Sequence, residues 1–185
     1  MTLPVTAPTI RPARPQDVPA VVAMVHELAD YERAADQCLL TTAQLDDALF
    51  GPAPTLFGHV AVDDDVPVGF ALWFLNFSTW AGVHGIYLED LYVRPTHRGT
   101  GAGRALLATL AAVCVERGYQ RLEWWMLDWN PAAHFYASIG AEPMSEWVPY
   151  RLSGTALHAL ASLGVTSTTH ARARPGRVPD RGDEA

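Results

Sequence analysis

One stretch constrains this chain more than any other. Ile86-Tyr87-Leu88-Glu89-Asp90-Leu91-Tyr92-Val93 is an apolar run of strand length; Arg94-Pro95-Thr96-His97-Arg98 follows, then Gly99-Thr100-Gly101-Ala102-Gly103, then an Ala/Leu-rich run from Arg104 to Val115. That order predicts a strand, a Pro-marked turn, a glycine-rich loop and a helix. Glycines lack Cβ and let backbone N–H groups approach an anion, while the first turn of a helix adds unpaired donors and the positive end of its dipole. A phosphate-binding turn is therefore expected, although the loop alone also fits a plain tight turn. A Walker loop needs a Lys before its Ser or Thr, and all 13 basic residues are Arg. A dinucleotide fingerprint needs G-x-G-x-x-G directly after the strand, whereas five residues separate Val93 from Gly99 and position 104 is Arg. What remains is Arg98-x-x-Gly101-x-Gly103.

With 185 residues, 49% of them apolar, the chain has the size of one domain that buries roughly two-thirds of its unfolded surface. Its longest apolar runs, such as Val68 to Leu75, fall short of the ~20 residues that span a bilayer, so no membrane helix is expected. The N-terminus carries no charged region followed by an apolar block, which makes the cytoplasm the expected compartment. Cys38 and Cys114 read as buried thiols in that compartment. Residues 1–164 hold nine Arg against seventeen acids, a net of minus eight. Such a body is a poor partner for nucleic acid; it suits a cationic substrate, and solubility explains it equally well. His26, His84, His97 and His134 share no metal-ligand spacing, and no metal is expected.

Along the chain, residues 1–8 read as a loose leader and Thr9 to Ala13 as a first strand. Val18, Val21, Val22, Val25, Leu28 and Ala29 recur at helical spacing up to about Arg33. Glu27, Asp30, Tyr31, Glu32 and Asp36 crowd the end of that helix. Thr41 and Thr42 cap a second helix, Ala43 to Phe50. Two apolar strands, Thr55 to Val62 and Val66 to Phe77, meet at Asp63-Asp64-Asp65, a polar hairpin turn. Short connections make these and the 86–93 strand antiparallel. The helix from Arg104 to Arg117 stops at Gly118 and returns the chain to a fifth strand, Arg121 to Leu127, parallel to the fourth. Asn130 and Pro131 open another helix, Ala132 to Ile139, that stops at Gly140. Glu142 to Leu152 reads as a last extended segment, Gly154 to Leu163 as a short helix, and residues 165–185 as a disordered tail, which leaves 9–164 as the domain.

Two motifs now stand in order: Arg98-x-x-Gly101-x-Gly103 after the central strand, and Asn130-x-x-x-x-Phe135-Tyr136-x-x-x-Gly140 after the next one. Together they resemble the cofactor half of the GCN5-related N-acetyltransferases over about residues 9–152. Tyr87-Leu88-Glu89-Asp90, Ser78-Thr79-Trp80, Leu127-Asp128-Trp129-Asn130 and Glu27-Leu28-Ala29-x-Tyr31-Glu32 are similar to the diamine acetyltransferases, and the second and third of these lean toward the thialysine branch. The polyamine branch resembles an acidic cleft, yet Ser78, Thr79, Ala34 and Ala35 stand near the places of its carboxylates, with Asp36 alone retained. The resemblance implies an α/β fold with a mostly antiparallel sheet of six to seven strands, a splayed parallel central pair and flanking helices. It also implies acetyl-CoA as donor, a small primary amine as acceptor, direct attack in a ternary complex, and a homodimer.

Site residues follow from the same source. The loop Arg98, Gly99, Thr100, Gly101, Ala102, Gly103 and Arg104 would hold the pyrophosphate, and the backbones of Leu91 and Val93 would pair with the pantetheine, Leu91 N–H facing the thioester oxygen. Asn130 would cap its helix and also bond the cofactor. Tyr136 is the expected general acid, because a phenol and an alkyl thiol have similar proton affinities. Glu89 is the expected base, directly or through a water, or else the anchor of the substrate ammonium. In a regular strand Glu89, Leu91 and Val93 share one face while Asp90 and Tyr92 take the other, and adjacent acids in an apolar strand need a partner or a solvated cleft. An ion pair of Glu89 with Arg94 or Arg121 is the structural alternative. Glu27, Tyr31, Trp80 and Asp90 are expected to line the amine pocket, through charge and cation–π contacts. Other acceptors, such as an aminoglycoside or a protein N-terminus, and a non-catalytic acyl-CoA-binding role remain open at this level.

Overall fold

A computed structural model describes residues 8–164. The leader expected at 1–8, apart from Pro8, and the tail expected at 165–185 lie outside the described residues. The chain forms two compact units, Met1–Ala141 and Glu142–Ala185.

The first unit is built on five strands in the order β1-β2-β3-β4-β5: β1 (Thr9–Pro12), β2 (Phe57–Asp63), β3 (Val66–Ser78), β4 (Val83–Val93) and β5 (Leu122–Glu123). The first four are antiparallel and β5 runs parallel to β4, as a helical crossover requires. The β2–β3 hairpin turns at Asp64 and Asp65, both at positive φ (46° and 63°). Asp tolerates that region better than most residues do. Helices α1 (Val18–Tyr31) and α2 (Thr42–Phe50) precede β2, α3 (Ala102–Glu116) joins β4 to β5, and α4 (Ala133–Ala137) follows. Thr41 and Gln44 form a reciprocal capping box on α2, which satisfies donors that the helix leaves free.

Apolar residues alternate along β3 and divide the core between the two faces of the sheet. Phe70 and Leu72 pack with Val18, Val21, Met24, Leu45 and Leu49 of α1 and α2. Ala71 and Trp73 pack with Leu106, Leu107, Leu110 and Cys114 of α3. Ahead of α1, Asp17 is buried, with 3% of its surface exposed, and accepts both guanidinium nitrogens of Arg11 at 2.6 and 2.8 Å and the Arg14 N–H at 2.7 Å. Cys114 is buried and Cys38 half-buried, both as free thiols.

Three features differ from the sequence reading. The sheet has five strands among the described residues, not six or seven. Residues 142–152, with Pro143 and Pro149, join no ladder, since proline cannot donate to one. The fifth strand is two residues long rather than seven, so the parallel pairing consists of Ile86 with Leu122 and Tyr87 with Glu123. And β4 is not a regular strand. Trp73 opposes Leu88 while Leu72 opposes Asp90, which leaves Glu89 as the extra residue of a bulge.

In the second unit α5 (Gly154–Gly164) fills the place of the expected short helix. Met144, Trp147, Val148 and Tyr150 before it are exposed. Among the described residues no helix is long and apolar enough to cross a membrane.

Candidate active site

The segment between β4 and α3 is held from two sides. Arg94, the first residue after β4, donates its N–H to the Val68 carbonyl at 2.9 Å and its guanidinium to Glu27 of α1 at 3.1 Å. His97 sits 3.3 Å from an Asp63 carboxylate oxygen, and its carbonyl accepts the Thr100 hydroxyl at 2.8 Å. Gly101 then caps α3 at φ 90°, a conformation that costs any other L-residue about 1–2 kcal/mol. The N–H groups of Ala102, Gly103 and Arg104 have no carbonyl four residues back within the helix, and the helix dipole adds positive potential there. A Cβ on Gly103 would meet Phe135 at 3.6 Å, an ordinary contact, so nothing in the protein's own packing demands glycine at 103. An anion approaching the backbone closely would demand it. These residues fit a pyrophosphate.

The bulge at Glu89 decides what borders this loop. Below it, Ile86 and Leu88 face α3; above it, Leu91 and Val93 pack against that same cluster and Tyr92 turns to the α1 side. Because Arg94 bonds toward β3, the pleat directs the backbone groups of Leu91 and Val93 away from β3. On that side β5 has already ended at Glu123. The two strands therefore diverge beside the first turn of α3 and leave an edge on which an extended amide chain can pair. The Val93 carbonyl accepts Arg98 Nε at 3.0 Å, and the Arg98 guanidinium lies over the rings of Tyr31 (5.3 Å) and Tyr92 (5.6 Å).

At the head of the divergence is a small cleft lined by Leu28, Glu32, Glu89, Asp90, Leu91, Trp125, Met126, Asn130 and Tyr136. Three of these are carboxylates, and for the partly buried Glu32 and Asp90 burial makes the charge expensive. Burial, with Glu89 and then Glu32 adding negative potential, pushes the Asp90 carboxyl up to about 6. Burial also raises Glu32. The Tyr136 phenol is raised by burial first and by the charge of Glu32 second. Its ring is fixed between Trp124 (4.8 Å) and Phe135 (5.2 Å). Asn130 Oδ1 accepts the Ala132 N–H at 3.0 Å, so it anchors the turn into α4, which begins at Ala133. Carboxylates facing a protonated phenol make a place where a cation is held and a proton exchanged.

The cleft thus brings together Glu89, Asp90, Leu91, Asn130 and Tyr136 from the sequence reading. Other expected pocket residues lie elsewhere. Glu27 accepts from Arg94 and from the Tyr92 hydroxyl. Tyr31 packs against Trp129 at 6.1 Å. Trp80 is 94% exposed in the β3–β4 turn and lines no part of the cleft. Glu89 pairs with neither Arg94 nor Arg121, which bind Glu27 and Glu123. Glu32 was not anticipated as a site residue. Its signal was helical spacing: Leu28 and Glu32 are four apart and share a face, as do Glu27 and Tyr31. Among the described residues no group of three or more His, Cys, Asp or Glu could hold a metal ion.

A glycine loop at the start of α3, a strand edge at Leu91 and an acidic cleft thus lie side by side in one fold. The chain belongs to the acetyltransferase (GNAT) family, whose profile matches residues 21–141, and it is an acetyl-transferring enzyme. It is 34% identical over 166 residues to a thialysine N-epsilon-acetyltransferase of Sus scrofa, covering 82% of this chain and 96% of the relative. It is 30% identical to an L-ornithine N5-acetyltransferase of Arabidopsis thaliana, covering 89% and 95%. Among solved structures, an integron cassette protein from the mobile metagenome of V. cholerae superposes with a TM-score of 0.71 at 28% identity, over 84% of this chain and 98% of that one. An aminoglycoside acetyltransferase from an uncultured soil metagenomic sample, at 16% identity and TM-score 0.65 over 80% and 97%, shares the fold.

Proposed function

We propose that this enzyme acetylates a primary amine of a small cationic substrate, a thialysine-like or lysine-like amino acid or a diamine, with acetyl-CoA as donor in a ternary complex. The observation that carries this reading is the cleft in which Glu32, Glu89 and Asp90 face Tyr136 beside the free edge of β4. Relatives that act on thialysine and on L-ornithine support the substrate class. Acetyl-CoA supplies an acyl group activated as a thioester.

The chain's own residues do the rest. The N–H groups from Arg98 to Arg104 hold the pyrophosphate; Leu91 and Val93 offer backbone groups to the pantetheine amides, and Leu91 N–H stabilises the oxyanion that develops at the carbonyl. Asn130 positions α4 and with it the Tyr136 hydroxyl, which gives its proton to the departing sulfur. Glu89 and Glu32 attract the ammonium, and Asp90 stands next to Glu89 in the same cleft. The acidic net charge of -7 disfavours nucleic acid. Two free thiols suit a reducing cytoplasm, and the resemblance supports a homodimer, which sedimentation at two protein concentrations checks.

The test is coenzyme A thiol release against thialysine, lysine, ornithine, putrescine, spermidine and spermine. Turnover confined to the short members supports the reading. Silence across the panel, with calorimetry showing that acetyl-CoA binds, overturns the substrate class.

A further inference from the structure

We propose that Asp90, rather than Glu89, takes the proton from the attacking ammonium, and that Glu32 and Glu89 serve to hold that ammonium in place. The inference rests on the amine acetylation proposed above and divides the work among its carboxylates.

The bulge is the reason the two adjacent acids differ. Glu89 is the unpaired residue of the bulge and stands exposed, where a cation arriving from solvent can reach it. Asp90 resumes the ladder opposite Leu72 and is partly buried. It also directly precedes Leu91, whose backbone lies on the free edge. Around Asp90 the cleft presents Glu32 from the C-terminal cap of α1, Glu89 from its own strand, and Tyr136 from α4, and no basic side chain lines it. With no cation to neutralise it, a carboxylate so placed binds a proton more tightly than usual, and its value near 6 is within reach of neutral pH, where a general base works best.

The proton count closes. R–NH3+ gives one proton to the Asp90 carboxylate; the freed nitrogen bonds to the thioester carbonyl carbon and the C–S bond breaks. Sulfur takes the Tyr136 phenol proton, the second nitrogen proton restores Tyr136, and Asp90 returns its proton to water. The products are the N-acetyl amine, the thiol and one released proton.

The experiment compares wild type, Asp90→Asn and Glu89→Gln in thiol release from pH 5 to 9 with the best amine of the panel. Alongside it, acetyl-CoA calorimetry and the carboxyl carbon resonances of protein labelled at Asp are recorded. In wild type, kcat/KM rises through about pH 6. Asp90→Asn loses that limb and about 100-fold or more in kcat, still binds acetyl-CoA, and lacks one carboxyl resonance that titrates near pH 6 in wild type. Glu89→Gln keeps the limb, moved to lower pH because a negative charge beside Asp90 is gone, and raises KM for the amine. If Glu89→Gln abolishes the limb while Asp90→Asn retains it, or if no Asp carboxyl titrates near 6, the assignment is overturned while amine acetylation stands. If wild type releases thiol with no amine, both fall.

Discussion

Arg94 closes on Glu27: Nε and NH2 of the guanidinium lie 3.2 and 3.1 Å from Glu27 Oε1, which ties the helix α1 to the first residue beyond β4. The same carboxylate accepts the Tyr92 hydroxyl, and Arg94 reaches on to the Pro67 carbonyl at 3.4 Å. The pair is 30% and 38% exposed, so its worth to global stability is small, below about 1 kcal/mol. Its position is what matters, because Arg94 starts the turn that carries the glycine loop. Glu27→Gln is expected to change the melting temperature little, to raise KM for acetyl-CoA severalfold, and to leave KM for the amine within about twofold. Steady-state kinetics with each substrate varied in turn reads the difference, and a rise confined to the amine KM would return Glu27 to the amine pocket.

Acid stability depends on Asp17. Hydrogen bonds from Arg11 first, helped by the Arg14 N–H, hold its carboxyl below the ordinary range although burial opposes them. A depressed folded value means that the stabilisation is complete above the unfolded value of about 3.9 and is lost as pH falls through the folded one. Asp17→Asn leaves Arg11 without its partner, and urea unfolding at pH 7 should show a loss of about 2–3 kcal/mol. The difference between variant and wild type should shrink below about pH 4.

Tyr136→Phe removes the proton for the departing sulfur and is expected to lower kcat by about 100-fold or more, with acetyl-CoA affinity nearly unchanged by calorimetry. In wild type the phenol is raised by burial and by Glu32, and only its protonated form can donate. The pH–rate profile should therefore show no falling limb below about pH 10. Glu32→Gln withdraws a negative charge that raises both Asp90 and Tyr136, so both limbs should move to lower pH. Full turnover in Tyr136→Phe at every pH would remove the phenol from the mechanism.

Two glycines of one loop should answer alanine in opposite ways. Gly101 sits at φ 90°, so Gly101→Ala strains the α3 cap and should lower stability by about 1–2 kcal/mol in thermal melts. Gly103 lies inside the helix with ordinary room for a Cβ, so Gly103→Ala should raise stability by up to about 1 kcal/mol and weaken acetyl-CoA binding at least tenfold. Unchanged affinity in Gly103→Ala would mean that the anion does not approach this backbone.

Much of the architecture was legible because its signals act within a few residues. The strand from Ile86 to Val93, the glycines before α3, the Thr41–Gln44 cap, the Asp64-Asp65 turn and the stop at Gly118 each answer a local demand of the backbone, and each stands where such a demand is met. Tyr136 and Asn130, which line one cleft, stand in a motif marked for the same reason by a helix start and a glycine stop.

Non-local pairing decided the rest. Alternation along β4 could not foretell the bulge at Glu89, which arises from the register against Leu72 and Trp73. Nor could the run from Arg121 to Leu127 announce that its ladder ends after Glu123 and thereby frees the edge at Leu91. Glu27 and Glu32, five residues apart on one helix, look equivalent as acids in the sequence. Packing sends the first to Arg94 and the second into the cleft beside Asp90 and Tyr136. The sequence determined which elements form and where the glycine loop lies, since those are short-range properties of backbone and side chain. Tertiary structure alone decided which carboxylates meet and whose proton affinity rises, because proton affinity depends on burial and on charges brought from other elements.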